Sequence, residues 1–454
     1  MHTFYLTFGV YMGLAVMSYV MLLILSYYGD RQYRKGAVTR KLWAATHDLP
    51  AVTIVAPAKN EEPIIAPSVA ALLRIPYPNL SLVVVDDGST DQTFSILQNT
   101  YKLFEVERPS VDQFSHQPIL SVWHSASDSR LTVVKKVASK SSKGDANNAG
   151  LEVVTAPFVL VTDIDSVIEP DTIHKLVARQ AETNADAVGC SLRPLNGCSI
   201  GQQGVRVALP KNYWAFSQVC EYIRTFQLRQ GWATMGSLNI ISGAGGFFKI
   251  ETLRTIGGYR TDTPSEDLAS TWGIYLHGLK TAYEPSTNIY TQVPDTWKSM
   301  ASQRKRWARG LMQILLVLSP LLFKGTRQSL MMLWLWLFEL VEPIIEVTGL
   351  GVIAYKAATH SMSPTSWLWL ALGISMCPLL TFFCAIQMER LYGRMSKASV
   401  AKLLLFSFVE IFPVKLPLSL YWRLAGTVSY LTGNTTWEPL PRQTFSEDKS
   451  CVTS

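Results

Sequence analysis

Charge is scarce in this chain: Asp, Glu, Lys and Arg make up 17% of its 454 residues, against 48% hydrophobic. That balance is poorer in charge than a typical soluble protein, and the apolar residues fall in blocks, which points to a membrane. Paired cysteines are also missing. The six cysteines (190, 198, 220, 377, 384 and 451) form no CxxC motif, which removes the usual signature of a thiol redox or cysteine-ligated metal site. Cys377 and Cys384, seven apart in an apolar stretch, read as helix packing, and reduced thiols fit a cytosolic domain. No GxGxxG follows the first strand-like run, so dinucleotide binding has no support. The apolar amino-terminal run has neither a basic leader nor a small-residue cleavage site before Asp30, so it reads as a retained anchor rather than a signal peptide.

That run, residues 4–28, carries no charged side chain and exceeds the roughly 20 residues that cross a bilayer. Arg31, Arg34, Lys35, Arg40 and Lys41 follow it, a basic excess that places this side in the cytoplasm and the amino terminus outside. The net charge of +7 would suit nucleic acid. However, Lys and Arg gather beside the apolar blocks, at 31–41, 298–309 and 390–402, where anionic headgroups would meet them. The expected partner is therefore a lipid bilayer and not nucleic acid.

The length allows a soluble domain of roughly 250 residues plus further segments. From residue 50 to about 190, short β-rich runs alternate with helical ones. VTIVAP (52–57), LSLVVVDDGS (80–89), LTVVKK (131–136), FVLVTD (158–163) and ADAVGC (185–190) read as strands. The stretches 61–73, 92–103, 145–154 and 171–182 read as helices. Continuous apolar strands alternating with helices predict an α/β domain with a Rossmann-like, parallel-rich sheet covered on both faces. Residues 104–130 show no period and read as an insertion loop. Residues 297–318 place Met300, Trp307, Leu311, Ile314, Leu315 and Leu318 at helical spacing, with Lys298, Arg304, Lys305 and Arg309 on other faces, as in an amphipathic helix lying on a membrane surface. Apolar blocks at 329–355 and 364–388 predict two crossings, and 403–431, interrupted by Pro413, Lys415 and Pro417, reads as interfacial or re-entrant. The resulting division is an anchor (1–29), a basic linker (30–50), a cytoplasmic catalytic domain (51–296), an interfacial helix (297–325), a transmembrane or interfacial region (326–432) and a polar tail (433–454).

Ligands of such sheets bind beyond the carboxyl ends of the strands. There the sequence puts acids. In TDIDSVIEP, Asp163 and Asp165 project to one side of an extended segment and repel each other unless something positive lies between them. Carboxylate oxygens suit magnesium or manganese with a substrate diphosphate, although capping of the next helix fits this pair equally well. In VVVDDGSTD, Asp86 and Asp87 end a strand, which fits contact with a ribose or base as well as plain turn chemistry. Lys143, in KGDANNAGL, stands at a helix amino terminus suited to phosphate, though a lone lysine is more often solvated surface. Glu266 and Asp267 open a helix in SEDLASTW, where acids also favour the helix dipole. QRKRW (303–307) fits a basic lipid-facing helix as well as a site.

Taken in order, PAKNEE, VVVDDGSTD, KGDANNAGL, TDIDSVIEPD, SGAGGFF, GGYR, SED and QRKRW resemble the membrane-bound family 2 glycosyltransferases that build polysaccharides. These include cellulose, hyaluronan, chitin-oligosaccharide and poly-N-acetylglucosamine synthases, the last being most similar. The resemblance spans about residues 50–320 and implies a GT-A fold, a UDP-sugar donor, Mg²⁺ or Mn²⁺, a growing polysaccharide acceptor and room for an accessory membrane subunit. It implies Asn60, Glu61 and Asp86 near the uridine, Lys143 and Arg306 near the diphosphate, and Asp163 and Asp165 as the DxD metal pair. Asp267 becomes the catalytic base, in SED where the family has TED, and Glu266, Gln303 and Trp307 the acceptor side. The implied enzyme is an inverting hexosyltransferase, multi-pass in the inner (plasma) membrane with its catalytic domain cytoplasmic. Two rivals stand beside it: single-sugar transfer to a polyisoprenyl phosphate or lipid, and a silent nucleotide-binding pore subunit. Glu339, Glu342 and Glu346 would line an exit path or sit at the interface, and the second SED, at 446–448, has no role.

Overall fold

The computed structural model describes residues 2–108, 112–139, 142–201, 204–359, 361–392, 395–410 and 416–433. The tail beyond residue 433, with its SED at 446–448, lies outside them.

Two helices come first, α1 (His2–Lys35) and α2 (Ala37–Thr46). The α/β region begins β1 (Val52–Ala58), α3 (Ile65–Leu73), β2 (Leu80–Asp86), α4 (Thr93–Tyr101), β3 (Leu103–Val106), β4 (Ile119–Ser125) and β5 (Leu131–Lys136). It continues α5 (Lys143–Leu151), β6 (Phe158–Val161), β7 (Val167–Ile168), α6 (Thr172–Thr183), β8 (Ala187–Pro194), β9 (Ser199–Gly201) and β10 (Gly204–Arg206). Next come α7 (Tyr213–Thr234), β11 (Gly246–Lys249), α8 (Ile250–Thr255), α9 (Glu266–Leu276) and β12 (Thr281–Thr291). The rest is helical: α10 (Trp297–Val317), α11 (Arg327–Leu335), α12 (Glu342–Ala358), α13 (Pro364–Leu391), α14 (Lys397–Glu410) and α15 (Leu416–Leu431).

Among the described residues one sheet runs in the order β3-β4-β5-β2-β1-β6-β11-β8-β12-β7. Its centre is parallel, β5-β2-β1-β6, as the continuous apolar strands predict. The sheet as a whole is mixed, because β11 runs antiparallel to both β6 and β8 and β4 antiparallel to β5. Val52, Ile54, Val55, Ala56, Val84, Val85, Val133 and Val134 are completely buried in its core, which requires cover on both faces. The packing of α5 on this core is close: a Cβ on Gly150 would lie 2.6 Å from Val55 Cγ1 and 2.8 Å from Val85 Cγ2. Glycine there lets α5 lie low on β1 and β2 and bring Lys143, its first residue, to the sheet's carboxyl edge.

Residues 104–130, expected as a loop, instead carry β3 and β4 at the sheet edge. Alternation is blurred there because Phe104 and Leu120 put apolar side chains on an open face, 51% and 59% exposed.

Of the described helices, one, Phe8–Lys35, is long and apolar enough to cross a membrane, with a mean hydropathy of 2.1 over its most apolar stretch. It packs on α7, where Leu22 is completely buried, and Tyr33 near its end donates to Glu284 Oε1 of β12 at 2.5 Å. The block at 329–355 is not α-helical throughout: residues 336–341 form a π-helical stretch between α11 and α12. The apolar face expected on α10 is present, with Met300, Ile314 and Leu315 at 3% exposure or less. Its Ile314, Leu315 and Leu318 pack on protein, joining Leu268, Trp272, Met331 and Met332, because helical periodicity reports burial without saying what covers the face.

Candidate active site

Strands β1, β2 and β6 end side by side, and the segments leaving them open into a cavity of about 1620 Å³. Its wall includes Asn60, Glu61, Lys143, Asp163, Asp165, Glu266, Asp267, Gln303, Arg306 and Trp307. Residues up to 247 positions apart in sequence, from Asn60 to Trp307, thus face one space. Asp86 does not line it. That carboxylate is 1% exposed and accepts from the Ser89 amide at 3.0 Å, holding the turn after β2. Burial raises its pKa, with the Ser89 hydrogen bonds pulling the other way. The neighbouring Asp87 lines the cavity instead. It is held by Lys136 Nζ at 2.7 Å and by the Ser139 amide and hydroxyl at 2.7 and 2.6 Å.

Asn60 adopts a left-handed conformation (φ 55°), and its Oδ1 accepts from the Thr90 amide at 2.8 Å, tying the turn after β1 to the one after β2. Glu61 is 2% exposed, and its amide donates to Thr93 Oγ1 at 2.8 Å.

The repulsion between Asp163 and Asp165 is answered in part by the chain itself. Lys143 Nζ donates to Asp163 Oδ1 and, at 3.3 Å, to the Gly243 carbonyl. Burial works against the lysine's charge, but Asp163, Glu266 and Asp165 outweigh it and hold its pKa above the ordinary value. Ser142 caps α5, accepting from the Gly144 amide at 3.0 Å, and so fixes where Lys143 starts. Asp163 keeps 37% of its side chain exposed while Asp165 is 2% exposed. Two hard-oxygen donors on one cavity wall, one of them open, fit a magnesium or manganese ion that also takes diphosphate oxygens.

Linked to them through Gly243, which accepts from Lys143 and donates to Asp267, α9 begins with Glu266 and Asp267. Asp267 accepts from the Gly243 amide at 3.1 Å and from its neighbour Leu268 at 2.8 Å. Burial raises its pKa, while those two amides, Arg229 and Lys143 restrain the rise. Burial and then the charge of Asp267 push Glu266 up to about 7. Glu266 thus exchanges its proton near neutral pH, and burial pushes Asp267 beside it in the same direction. The helix carrying QRKRW presses against that turn: a Cβ on Gly310 would lie 2.0 Å from Ser265 Oγ. Gln303 is 9% exposed and Trp307 37%.

Sequence reasoning singled out neither Arg229 nor Glu221. Arg229 donates to Ser242 Oγ at 2.6 Å, stacks 4.2 Å from the Phe226 centroid, and contributes to the field at Asp267. Glu221 grips Arg304 with two hydrogen bonds of 2.7 and 2.8 Å. Both lie on α7, whose sequence carries no motif. Arg304 is therefore no lipid-facing charge; its guanidinium sits 4.5 Å from the Trp307 ring and supports it. The cavity continues to Glu339, Glu342 and Glu346, where Arg423 of α15 meets Glu342 at 2.7 Å.

A mixed α/β sheet with acids gathered at its carboxyl edge defines a GT-A-like enzyme domain. The sequence matches the glycosyl transferase family 2 over residues 53–232 and the glycosyl transferase family group 2 over residues 158–386. The chain belongs to that glycosyltransferase family. Among curated proteins it is similar to poly-beta-1,6-N-acetyl-D-glucosamine synthase of Staphylococcus epidermidis, 24% identical over 260 residues, covering 57% of this chain and 53% of that protein. The synthase of Staphylococcus aureus is 24% identical over 271 residues, 59% of this chain and 56% of that protein. The chain thus spans about half the length of the curated relatives it matches. A mannosyltransferase of Pyrobaculum calidifontis, solved with GDP-Man and Mn²⁺, shares the fold at TM-score 0.57 and 19% identity, over 94% of this chain and 99% of that one.

Proposed function

We propose that this chain is a membrane-anchored, inverting glycosyltransferase that polymerises a sugar, N-acetylglucosamine, from a UDP donor into a β-linked polysaccharide. The observation that carries the reading is the single cavity shared by the acid pair, Asp267 and the QRKRW helix. In this reading Asn60, Glu61 and Asp87 frame the nucleoside, Asp86 bracing the turn beneath them. Lys143 and Arg306 bind the diphosphate and stabilise the charge that develops as it departs. Asp163 and Asp165 hold Mg²⁺ or Mn²⁺, which when bound supplies further neutralisation of that charge. On the other face Asp267 takes the proton of the acceptor hydroxyl, a contribution of about 10²–10⁴-fold. Attack opposite the departing nucleotide inverts the anomeric centre. Trp307 offers its exposed face to the acceptor sugar, with Gln303 and Glu266 supplying hydrogen bonds.

The membrane parts follow the same reading. Helix α1 is the anchor, the α/β region is cytoplasmic, and α11 to α15 supply the remaining crossings and interfacial segments of a multi-pass inner-membrane protein. The cavity's extension past Glu339, Glu342 and Glu346 supports their role as a polar exit path, since ionisable groups among apolar helices face protein or water.

Incubating membranes that contain the chain with each radiolabelled UDP-sugar tests the proposal. A high-molecular-weight product from UDP-N-acetylglucosamine, abolished by EDTA, is expected. A lipid carrying one sugar would replace the polymerase with single transfer, and no UDP release from any donor would overturn both.

A further inference from the structure

A second constellation lies outside the cleft, where the segment between β3 and β4 crosses the end of α5. His116 is buried there, with its side chain 1% exposed. Its Nδ1 lies 2.8 Å from the Gln117 carbonyl oxygen. A carbonyl only accepts, so Nδ1 carries a proton, and in the tautomer this contact selects Nε2 presents a lone pair. That lone pair faces further acceptors: Glu152 Oε1 at 3.4 Å and Asp112 Oδ1 at 3.8 Å. His116 Nε2 and Glu152 Oε2 are buried and make no hydrogen bond. Glu152 is itself 1% exposed, its Oε1 fixed by the Gln113 and Phe114 amides at 2.7 Å each.

His116 Nε2 and the Glu152 carboxylate are buried acceptors turned toward one another, which is costly unless a cation joins them. A proton on Nε2 is a poor match, because charged N–H···O contacts close to about 2.7–2.9 Å. A metal matches the His116–Glu152 pair better: ligand bonds of about 2.0–2.1 Å in a tetrahedral zinc site set neighbouring donor atoms roughly 3.3–3.4 Å apart, and Asp112 Oδ1, at 3.8 Å, has to move inward to join them. All three residues offer donor atoms within 4.8 Å of one another. We propose that His116, Glu152 and Asp112 form a divalent transition-metal site of the zinc class, separate from the Asp163–Asp165 pair. One imidazole with two carboxylates suits zinc better than magnesium. The Gln117 carbonyl is the outer partner that fixes the histidine tautomer. Asp112 is 46% exposed and leaves the site open to solvent on one side, and Arg108 donates to the same Oδ1 at 2.6 Å.

The ion fastens the 112–117 strap to α5. The strap already bonds that helix, the Gln117 amide donating to both Asp145 oxygens at 3.1 Å and Asn148 Nδ2 to the Ser115 carbonyl at 2.8 Å. Asp145 in turn meets Lys136, which holds Asp87 in the cleft wall, both at 2.7 Å. The site is structural, steadying the helix that presents Lys143.

The test uses the full chain in detergent, stripped of metal, with Asp163→Asn and Asp165→Asn introduced to silence the cleft and Mg²⁺ in excess. Zinc is titrated against a chromogenic chelator, and cobalt(II) is added to a parallel sample. One equivalent of zinc that Mg²⁺ does not displace is expected, with visible d–d absorption from cobalt in a low-coordinate site. His116→Asn should abolish both, and Asp112→Asn, at an exposed position that spares the fold, should weaken zinc roughly tenfold or more. No retained equivalent and no cobalt band in the protein with an intact triad would overturn the proposal. So would undiminished zinc in His116→Asn.

Discussion

The sheet region and the helical region solve the same problem, burying apolar side chains, in opposite directions. In the sheet the apolar residues point inward: Ile54, Val84 and Leu160 are completely buried. On the helices many point outward, with Met17 68%, Ile24 63%, Leu405 72% and Leu431 71% exposed. Exposed apolar faces of this extent call for an apolar surround, which is the physical basis of our placing α1 and its neighbours in lipid. Polar groups reverse the pattern. Both regions turn carboxylates toward the shared cavity, and α10 is the joint between them, locked to α7 by Arg304 and Glu221. The lesson is that the site belongs to neither region alone: the α/β region supplies Lys143, the acid pair and Asp267, and the joint supplies Gln303, Arg306 and Trp307.

That comparison can be broken at several points. The largest effect is expected from Asp267→Asn, which should lower kcat by about 10²–10⁴-fold, measured by UDP release. Arg304→Ala leaves Glu221 half-buried without its guanidinium and should cost about 3 kcal/mol, read as a lower melting temperature in detergent, with the sheet region's own secondary structure retained. Lys143→Met removes a charge-assisted contact and should raise the donor KM by about 10–100-fold, since such bonds are worth roughly 1.5–3 kcal/mol. Trp307→Ala should be the mildest, a loss of acceptor use of up to about tenfold from an aromatic contact worth roughly 0.5–1.5 kcal/mol, with stability unchanged.

The pH behaviour sharpens the same contrast. The folded-state pKa of Glu266, about 7 against an ordinary 4.5, is raised. The folded protein therefore holds this proton more tightly than the unfolded chain, and the carboxyl costs stability as pH rises from 4.5 to 7. Glu266→Gln should raise the melting temperature above pH 7 and leave it unchanged below 4.5. An equal shift at both would show that the group does not titrate in that window.

Much of this was legible in the sequence, for a reason visible in particular residues. The runs VTIVAP, LSLVVVDD and FVLVTD are central strands, buried on both sides, so their continuous apolar pattern was unambiguous. Asp163, at the end of FVLVTD, inherits its position from that strand, while Lys143 at the start of α5 and Asp267 at the start of α9 are tied to it through hydrogen bonds to Asp163 and Gly243. Edge strands β3 and β4 were not legible, because an open face tolerates Phe104 and Leu120 and erases the alternation. In VVVDDGS the resemblance pointed to Asp86 as the acid facing the nucleotide; the structure turns Asp86 under the turn and Asp87 toward the cavity, a choice of side that two adjacent acids at a strand end do not encode. The Arg304–Glu221 pair and the buried Arg229 depend on how distant helices cross, which no local pattern encodes.

The central claim is a division of labour between Asp163 with Asp165, which hold the donor, and Asp267, which activates the acceptor. Calorimetric titration of UDP into the wild type, Asp163→Asn and Asp267→Asn, each with Mg²⁺ and again with EDTA, tests it most directly. Wild type and Asp267→Asn should bind UDP alike and lose it in EDTA, and Asp163→Asn should bind weakly in both. EDTA-insensitive binding by the wild type, or loss of binding in Asp267→Asn, would contradict the account.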